Sequence, residues 1–133
     1  IFSALEHIRE KEEVKANEIM NPKVIVIGIN DTVKDAIKIM KLKGISQVPV
    51  LSRKKVCGLI TEGVIMQSIS AHPEKGATLK VAEIMEESPP IVSPTAGLRV
   101  LLSLLQNYPI IIVAEKGDIK GVISKTDILG KIE

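Results

Sequence analysis

Ser124 and Asp127 are the residues of this chain best placed to do chemistry together. They follow the apolar run Gly121-Val122-Ile123, so the hydroxyl ends a buried strand. The carboxylate comes three residues later, on the first turn of a helix that continues through Ile128 and Leu129. A hydroxyl both donates and accepts, whereas an ionised carboxylate only accepts, through two oxygens. Side by side, the two can grip the hydrogen-bond donors of a small molecule. They can also cap the helix they open, because Ser or Thr followed three residues on by an acidic residue is a capping-box arrangement. Standing alone, the pair reads as a cap. The same programme occurs earlier, at Gly58-Leu59-Ile60-Thr61, but there Val64 stands where the carboxylate is due. Glu62 comes two residues early and is turned about 200° around the helix from Ser/Thr-plus-three geometry, so it is no substitute.

Other chemistries are thinly supplied. His7 and His72 have no ligand spacing to each other, and neither has a Ser or Cys to serve as its nucleophile. Cys57 is the single cysteine, which excludes an internal disulfide and reads as a buried apolar thiol. Phosphate-loop and dinucleotide-binding glycine patterns are absent. No enzyme, no metal site and no obligatory cofactor are therefore expected. A net charge of +2 implies no polyanionic partner, and an aromatic fraction of 2% leaves almost no platform for stacking bases. A hydrophobic fraction of 45% is ample for a core of Ile, Val, Leu, Met and Ala. The start lacks a signal-peptide pattern and no apolar run reaches the ~18 residues of a membrane span, so a cytoplasmic protein is expected. Opening on Ile1, the chain is expected to be part of a longer polypeptide.

The elements that must position the pair can be read in order. Residues 1–15 place Ile1, Leu5, Ile8 and Val14 on one side, an amphipathic helix or linker that needs a partner surface. Asn17 precedes a helical turn, Glu18-Ile19-Met20, ended by Asn21-Pro22. A strand is expected over residues 23–27, then Asn30, Asp31 and Thr32 supply caps for a helix burying Val33, Ala36, Ile37 and Met40 until Gly44 stops it. Residues 47–51 and 56–61 read as a hairpin around the basic turn Ser52-Arg53-Lys54-Lys55, with Pro49 suiting a strand start, an edge or a bulge. A helix over about 62–70 follows, broken by a linker from Ala71 to Gly76.

The programme then repeats. Glu83-Ile84-Met85 follows Glu18-Ile19-Met20 by 65 residues, as Ile91-Val92 follows Val26-Ile27 and as Leu98, Leu101, Leu102 and Leu105 follow the first helical face. Pro109-Ile110 aligns with Pro49-Val50 at 60, and Gly121 with Gly58 at 63. On that alignment the second copy is five residues shorter at the helix exit and three longer at the hairpin turn. Offsets that change only at loops mark a structural repeat. Each copy is β-α-β-β-α, too small to stand alone easily, so two sharing a core are expected in a mixed α/β (α+β) fold. The boundaries expected are an N-terminal helix or linker over 1–15, a first domain over 16–71, a linker over 72–80 and a second domain over 81–133.

The order Glu-Ile-Met, Ile91-Val92-Ser93-Pro94 with Leu98, a Pro-containing strand, then Gly121-Val122-Ile123-Ser124 with Asp127-Ile128-Leu129, twice over, resembles the CBS domain. Two in tandem over residues 16–131 resemble a CBS pair, or Bateman module. That resemblance implies two units related by pseudo-two-fold symmetry, small facing sheets with two clefts, and dimerisation through helices. It implies a regulatory module that senses an adenosyl compound (AMP, ADP, ATP or S-adenosylmethionine) and relays occupancy to an attached domain.

On the resemblance, Asp127 holds the ribose diol, Ser124 meets ribose or phosphate, and Lys125 and Thr126 add charge or hydrogen bonds. Ile91, Val92, Pro109, Ile110 and Ile111 would line the adenine slot, with Tyr108 nearby. A weaker second cleft would comprise Thr61, Val64, Val26, Val48, Pro49 and Val50, empty or holding a ligand not gripped by its ribose. Glu83 to Glu87 and Asn107-Tyr108-Pro109 are similar to CBS pairs that follow a helix-turn-helix in archaeal regulators, so a dimerisation scaffold of a transcription regulator is the rival expectation. No recognition helix is present in this segment, so no direct contact with nucleic acid is expected.

Overall fold

In the structure, a computed structural model that describes residues 14–132, most of these local signals act where they stand. The amphipathic element expected over residues 1–15 lies outside the described residues except for Val14 and Lys15. The chain runs α1 (Ala16–Ile19), β1 (Ile27–Gly28), α2 (Val33–Lys43), β2 (Gln47–Ser52), β3 (Lys55–Thr61), α3 (Glu62–Ala71), α4 (Val81–Ile84), β4 (Ile91–Val92), α5 (Leu98–Leu105), β5 (Ile110–Glu115), β6 (Asp118–Ser124) and α6 (Lys125–Ile132). Among the described residues, two three-stranded sheets form, ordered β1-β2-β3 and β4-β5-β6. In each, the short first strand pairs in parallel with the second, and the second and third make an antiparallel hairpin.

Capping sets the helix starts. Thr32 Oγ1 accepts the Asp35 N–H at 3.2 Å while the Asp35 carboxylate accepts the Thr32 N–H at 2.9 Å, a reciprocal box that opens α2. The bond from the Thr32 backbone, then that from its hydroxyl, hold the Asp35 carboxyl below its ordinary range. Gly44 ends α2 at φ 65°, left-handed backbone that glycine adopts without strain. α1 begins earlier than expected: its N-cap is Lys15 rather than Asn17, and the Glu18 carboxylate accepts the Lys15 N–H at 3.0 Å.

The strand expected over 23–27 is shorter and shifted, and Pro49 explains why. Leu59 exchanges both backbone bonds with Glu86, at 3.1 and 2.8 Å, so it points away from β2. Pro49, opposite Leu59, therefore points away from β3 and toward the β1 side, with no N–H to give. At the corresponding place in the second sheet, the Ile112 N–H bonds the Pro90 carbonyl at 2.9 Å and anchors β4 from Ile91. Without that bond, β1 begins one repeat position later, at Ile27 opposite Val50.

The hairpins correct the repeat alignment. β5 and β6 correspond to β2 and β3 at a constant offset of 63, including the register shifts at Val50/Leu51 and Val113/Ala114. Both turns hold two residues between their strands, Arg53-Lys54 and Lys116-Gly117. The turn of the second copy is thus not longer. The second copy is two residues shorter at the helix exit, not five, and Pro109 lies before β5 rather than matching Pro49. Proline was a misleading marker, since it sits inside one strand and ahead of the other.

The compact units do not follow the order of the chain. Of the described residues, one unit comprises 25–89 and the other comprises 14–24 together with 90–132. In the second, the Ala16 and Asn17 N–H groups bond the Ala96 and Pro94 carbonyls at 2.8 and 2.9 Å, and Asn21 bridges Val122 on the edge of β6. In the first, the Val81 N–H bonds the Asp31 carbonyl and Glu86 bridges Leu59. Each Glu-Ile-Met segment thus completes the sheet of the other repeat. The segment over 72–80 also packs: carbonyls of Ala77 and Leu79 accept the Lys34 and Val33 N–H groups that α2 cannot satisfy internally.

A glycine admits each exchanged segment. A Cβ at Gly121 would fall 2.6 Å from Met20 Sδ and 2.9 Å from the Asn21 carbonyl. A Cβ at Gly58 would overlap Met85 Sδ. Behind each sheet lies an aliphatic core. Ile27, Val33, Ala36, Met40, Val48, Val50 and Ile60 build one, and Ala16, Ile19, Leu101, Leu105, Ile111, Val113, Ile123 and Ile128 build the other.

Candidate functional site

Ser124 and Asp127 are brought together in the unit containing residues 90–132. Ser124 ends β6 and α6 starts at Lys125, which brings Asp127 back over the strand end. Asp127 Oδ2 accepts both the Ser124 N–H, at 2.8 Å, and the Ser124 hydroxyl, at 3.0 Å. The cap therefore forms, with Oδ2 as its acceptor. Both side chains are half-buried, and Lys125 and Thr126 are exposed beside them.

Strand register sorts the other candidates by face, since side chains alternate along a strand. Ile110 lies directly opposite Ser124, and Ile112 opposite Val122 and beside Ile91. Ile91, Ile110, Ile112 and Val122 thus share the Ser124 face of the sheet. Ile91 is 57% exposed while Ile110 is buried. Ile111 and Val113 point the other way, into the helix-packed core with Ile123, and Val92 packs against that core. The side chains of Ile111 and Val92 are consequently core and do not share a face with Ser124. Tyr108 and Pro109 are half-buried on the approach to β5. Ile112 and Val122, outside the set read from the sequence, share this face, as counting by twos back from Ser124 and across the hairpin shows.

The unit over 25–89 repeats this sorting with one substitution of parts. Thr61 ends β3 and its Oγ1 accepts the Val64 N–H at 3.2 Å. Pro49 shares the Thr61 face, whereas Val48 and Val50 are core with no exposed surface. Val26 precedes β1 and is half-buried. Val64 packs against the core and offers no acceptor, as its side chain requires. A carboxylate is nevertheless present. Thr61 Oγ1 donates to Glu86 Oε1 at 2.6 Å, a short charge-assisted bond spanning 25 residues of sequence. Nothing in the local pattern around Thr61 announces it.

A groove of about 720 Å³ in the same unit lies elsewhere, between α2 and α3, lined by Ile37, Met40, Ile45, Ile65, Met66 and Ile69 with Lys41 and Glu62 at its rim. Among the described residues no cluster of His, Cys, Asp and Glu could hold a metal ion, and no helix is long and apolar enough to cross a membrane.

Comparison with known proteins decides what this fold is. The CBS domain matches twice, over residues 16–71 and 81–133. The chain belongs to the CBS domain family. A CBS domain-containing protein of unknown function from Bacillus anthracis superposes with a TM-score of 0.82 at 21% identity, covering 93% of this chain and 96% of its own. A hexameric CBS-CP12 protein from bloom-forming cyanobacteria superposes with a TM-score of 0.77 at 31% identity, covering 90% of this chain and 68% of its own. A zinc metalloprotease of Methanocaldococcus jannaschii is 30% identical over 118 residues, which is 89% of this chain and 32% of that protein. The chain spans less than half the length of the curated relatives it matches, between 15% and 43% in three of them. This CBS pair is a regulatory type of module.

Proposed function

We propose that this CBS pair senses an adenosyl compound, AMP, ADP, ATP or S-adenosylmethionine, at the Ser124 end of β6, and relays occupancy to an attached or partner domain. The observation that carries the reading is the Asp127 carboxylate. Its Oδ2 is engaged by Ser124, and its Oδ1 has no bond among the described residues. Oδ1 is thus available to one hydroxyl of a ribose, with the Ser124 oxygen beside it for the other. The Ile91 side chain, largely exposed on the same sheet face, offers apolar surface to a base. Lys125 and Thr126 supply a cation and a hydroxyl for phosphate. The module acts as a binding element without catalysis of its own, in the cytoplasm. Titration calorimetry of the four compounds against the chain and against Asp127→Ala tests this: binding that weakens at least tenfold in the variant supports it, and no binding by any compound refutes it.

A second reading, a homodimerising scaffold within a transcription regulator, is favoured by the helices. Met66 on α3 and Leu129 on α6 occupy the same repeat position and are 70% and 62% exposed. Leu102 and Ile69 add 42% and 36% exposed apolar surface. Large apolar side chains repeated at one position on both units suit a self-complementary interface. The two readings are compatible, because a sensor can relay its state through its dimer.

A further inference from the structure

Independently of the nucleoside site, we infer that the groove between α2 and α3 receives residues 1–13 of a second copy of this chain. The groove holds about 720 Å³, and its lining is chiefly aliphatic, with Ile37, Ile45, Ile65 and Ile69. Met66 lines it while 70% exposed, so apolar surface stands open to a partner. The α2 side of the groove is long because α2 runs on past Met40 to Lys43. In the other repeat, α5 ends at Leu105, the residue that corresponds to Met40.

Charge on the two sides of the groove specifies the occupant. Lys34, Lys38 and Lys41 follow one another at i, i+4 and i+7 along α2, all exposed, and Lys41 stands at the groove itself. Glu62, at the start of α3, marks the other side. A fitting segment therefore has an apolar stripe, acidic residues along one flank and a cation on the other. Residues 1–13, which lie outside the described residues, carry that pattern at helical spacing. Ile1, Leu5 and Ile8 make the stripe, Glu6, Glu10 and Glu13 run along one flank, and Lys11 falls on the other. One direction of the segment along the groove sets the glutamates against the α2 lysines and Lys11 against Glu62. Apolar anchors at this spacing, laid into an apolar groove, are the helix-in-groove mode of recognition.

The segment leads into Ala16 and Asn17, whose N–H groups bond the Ala96 and Pro94 carbonyls of the unit with residues 90–132. The groove belongs to the unit over 25–89. Segment and groove thus belong to different units, and two copies that exchange them make a self-complementary pair.

Sedimentation velocity of the full chain and its variants reads the contact. Leu5→Asp removes the central anchor and Met66→Asp charges the groove, and each should weaken self-association at least tenfold with unchanged circular dichroism. Mixing the two variants should restore association, since one supplies an intact groove and the other an intact segment. A labelled peptide of residues 1–13 should bind the Leu5→Asp chain saturably. Adding Lys38→Glu with Lys41→Glu to that chain should weaken the peptide about threefold, and a peptide carrying Glu6→Lys, Glu10→Lys and Glu13→Lys should recover the loss. Association that survives Leu5→Asp but is lost on Met66→Asp with Leu129→Asp would assign the groove to the helix faces of the second copy and overturn the inference. Variants that stay apart when mixed, or a peptide that does not bind, would overturn it as well.

Discussion

Asp127 and Glu86 show how a strand-end hydroxyl meets a carboxylate from near and from far in the sequence. The near solution was legible: a hydroxyl and a carboxylate three residues apart on a strand-to-helix junction can be read directly, and the Ser124–Asp127 bonds are present. The far solution was not, because Thr61 and Glu86 are 25 residues apart and meet only through a backbone bridge, which leaves no side-chain pattern. A faint signal did exist in the paired recurrence of a large Met and a small Gly, Met20 with Gly121 and Met85 with Gly58. Those glycines give a sharp test. At both glycines the nearest atoms belong to a flexible Met side chain, but the main-chain carbonyl beyond it is closer at Gly121, with Asn21 at 2.9 Å, than at Gly58, with Glu86 at 3.1 Å. Gly121→Ala should therefore destabilise by roughly 1–3 kcal/mol in chemical denaturation, and Gly58→Ala by less. Equal effects would show that the Met side chains, rather than the exchanged backbone, set the fit.

At the scale of elements, periodicity and capping were reliable where a segment carries its own signal. α2 runs from the Thr32 cap to Gly44, and both hairpins form where apolar strands flank a polar turn. Errors arose where pairing depends on a partner. β1 is displaced because Pro49 on β2 cannot donate, and Pro109 misaligned the second hairpin because a proline ahead of a strand resembles one within it. The turns also differ in strain. Arg53 and Lys54 have φ of 52° and 68°, left-handed backbone that favours Asn or Gly, while the matching turn uses Lys116-Gly117. Replacing Lys54 by Gly should stabilise the chain by about 0.5–1 kcal/mol, read from the denaturation midpoint, since it removes a strained side-chain position at an exposed tip. A loss of stability would mean that the Lys54 side chain makes interactions that outweigh the strain.

For the molecule as a whole, the repeat was legible and the exchange was not. Sequence similarity runs along the chain, over 16–71 and 81–133, whereas the compact units trade their opening segments. Ligand or partner signals reaching residue 16 or residue 81 would thus be felt in the sheet of the other repeat. The exposed apolar positions Met66 and Leu129 bear on assembly. Light scattering should find a dimer of the chain, and Met66→Asp with Leu129→Asp should yield monomers of unchanged helicity; a monomeric parent chain would exclude the helix-mediated interface. A nucleoside clasp built on Asp127 is tested by calorimetric titration of AMP, ADP, ATP and S-adenosylmethionine into the chain and its Asp127→Ala variant. Saturable binding of at least one compound, and loss of one site on substitution, are expected. Titrations that are flat for all four, or identical with and without the Asp127 carboxylate, would contradict it.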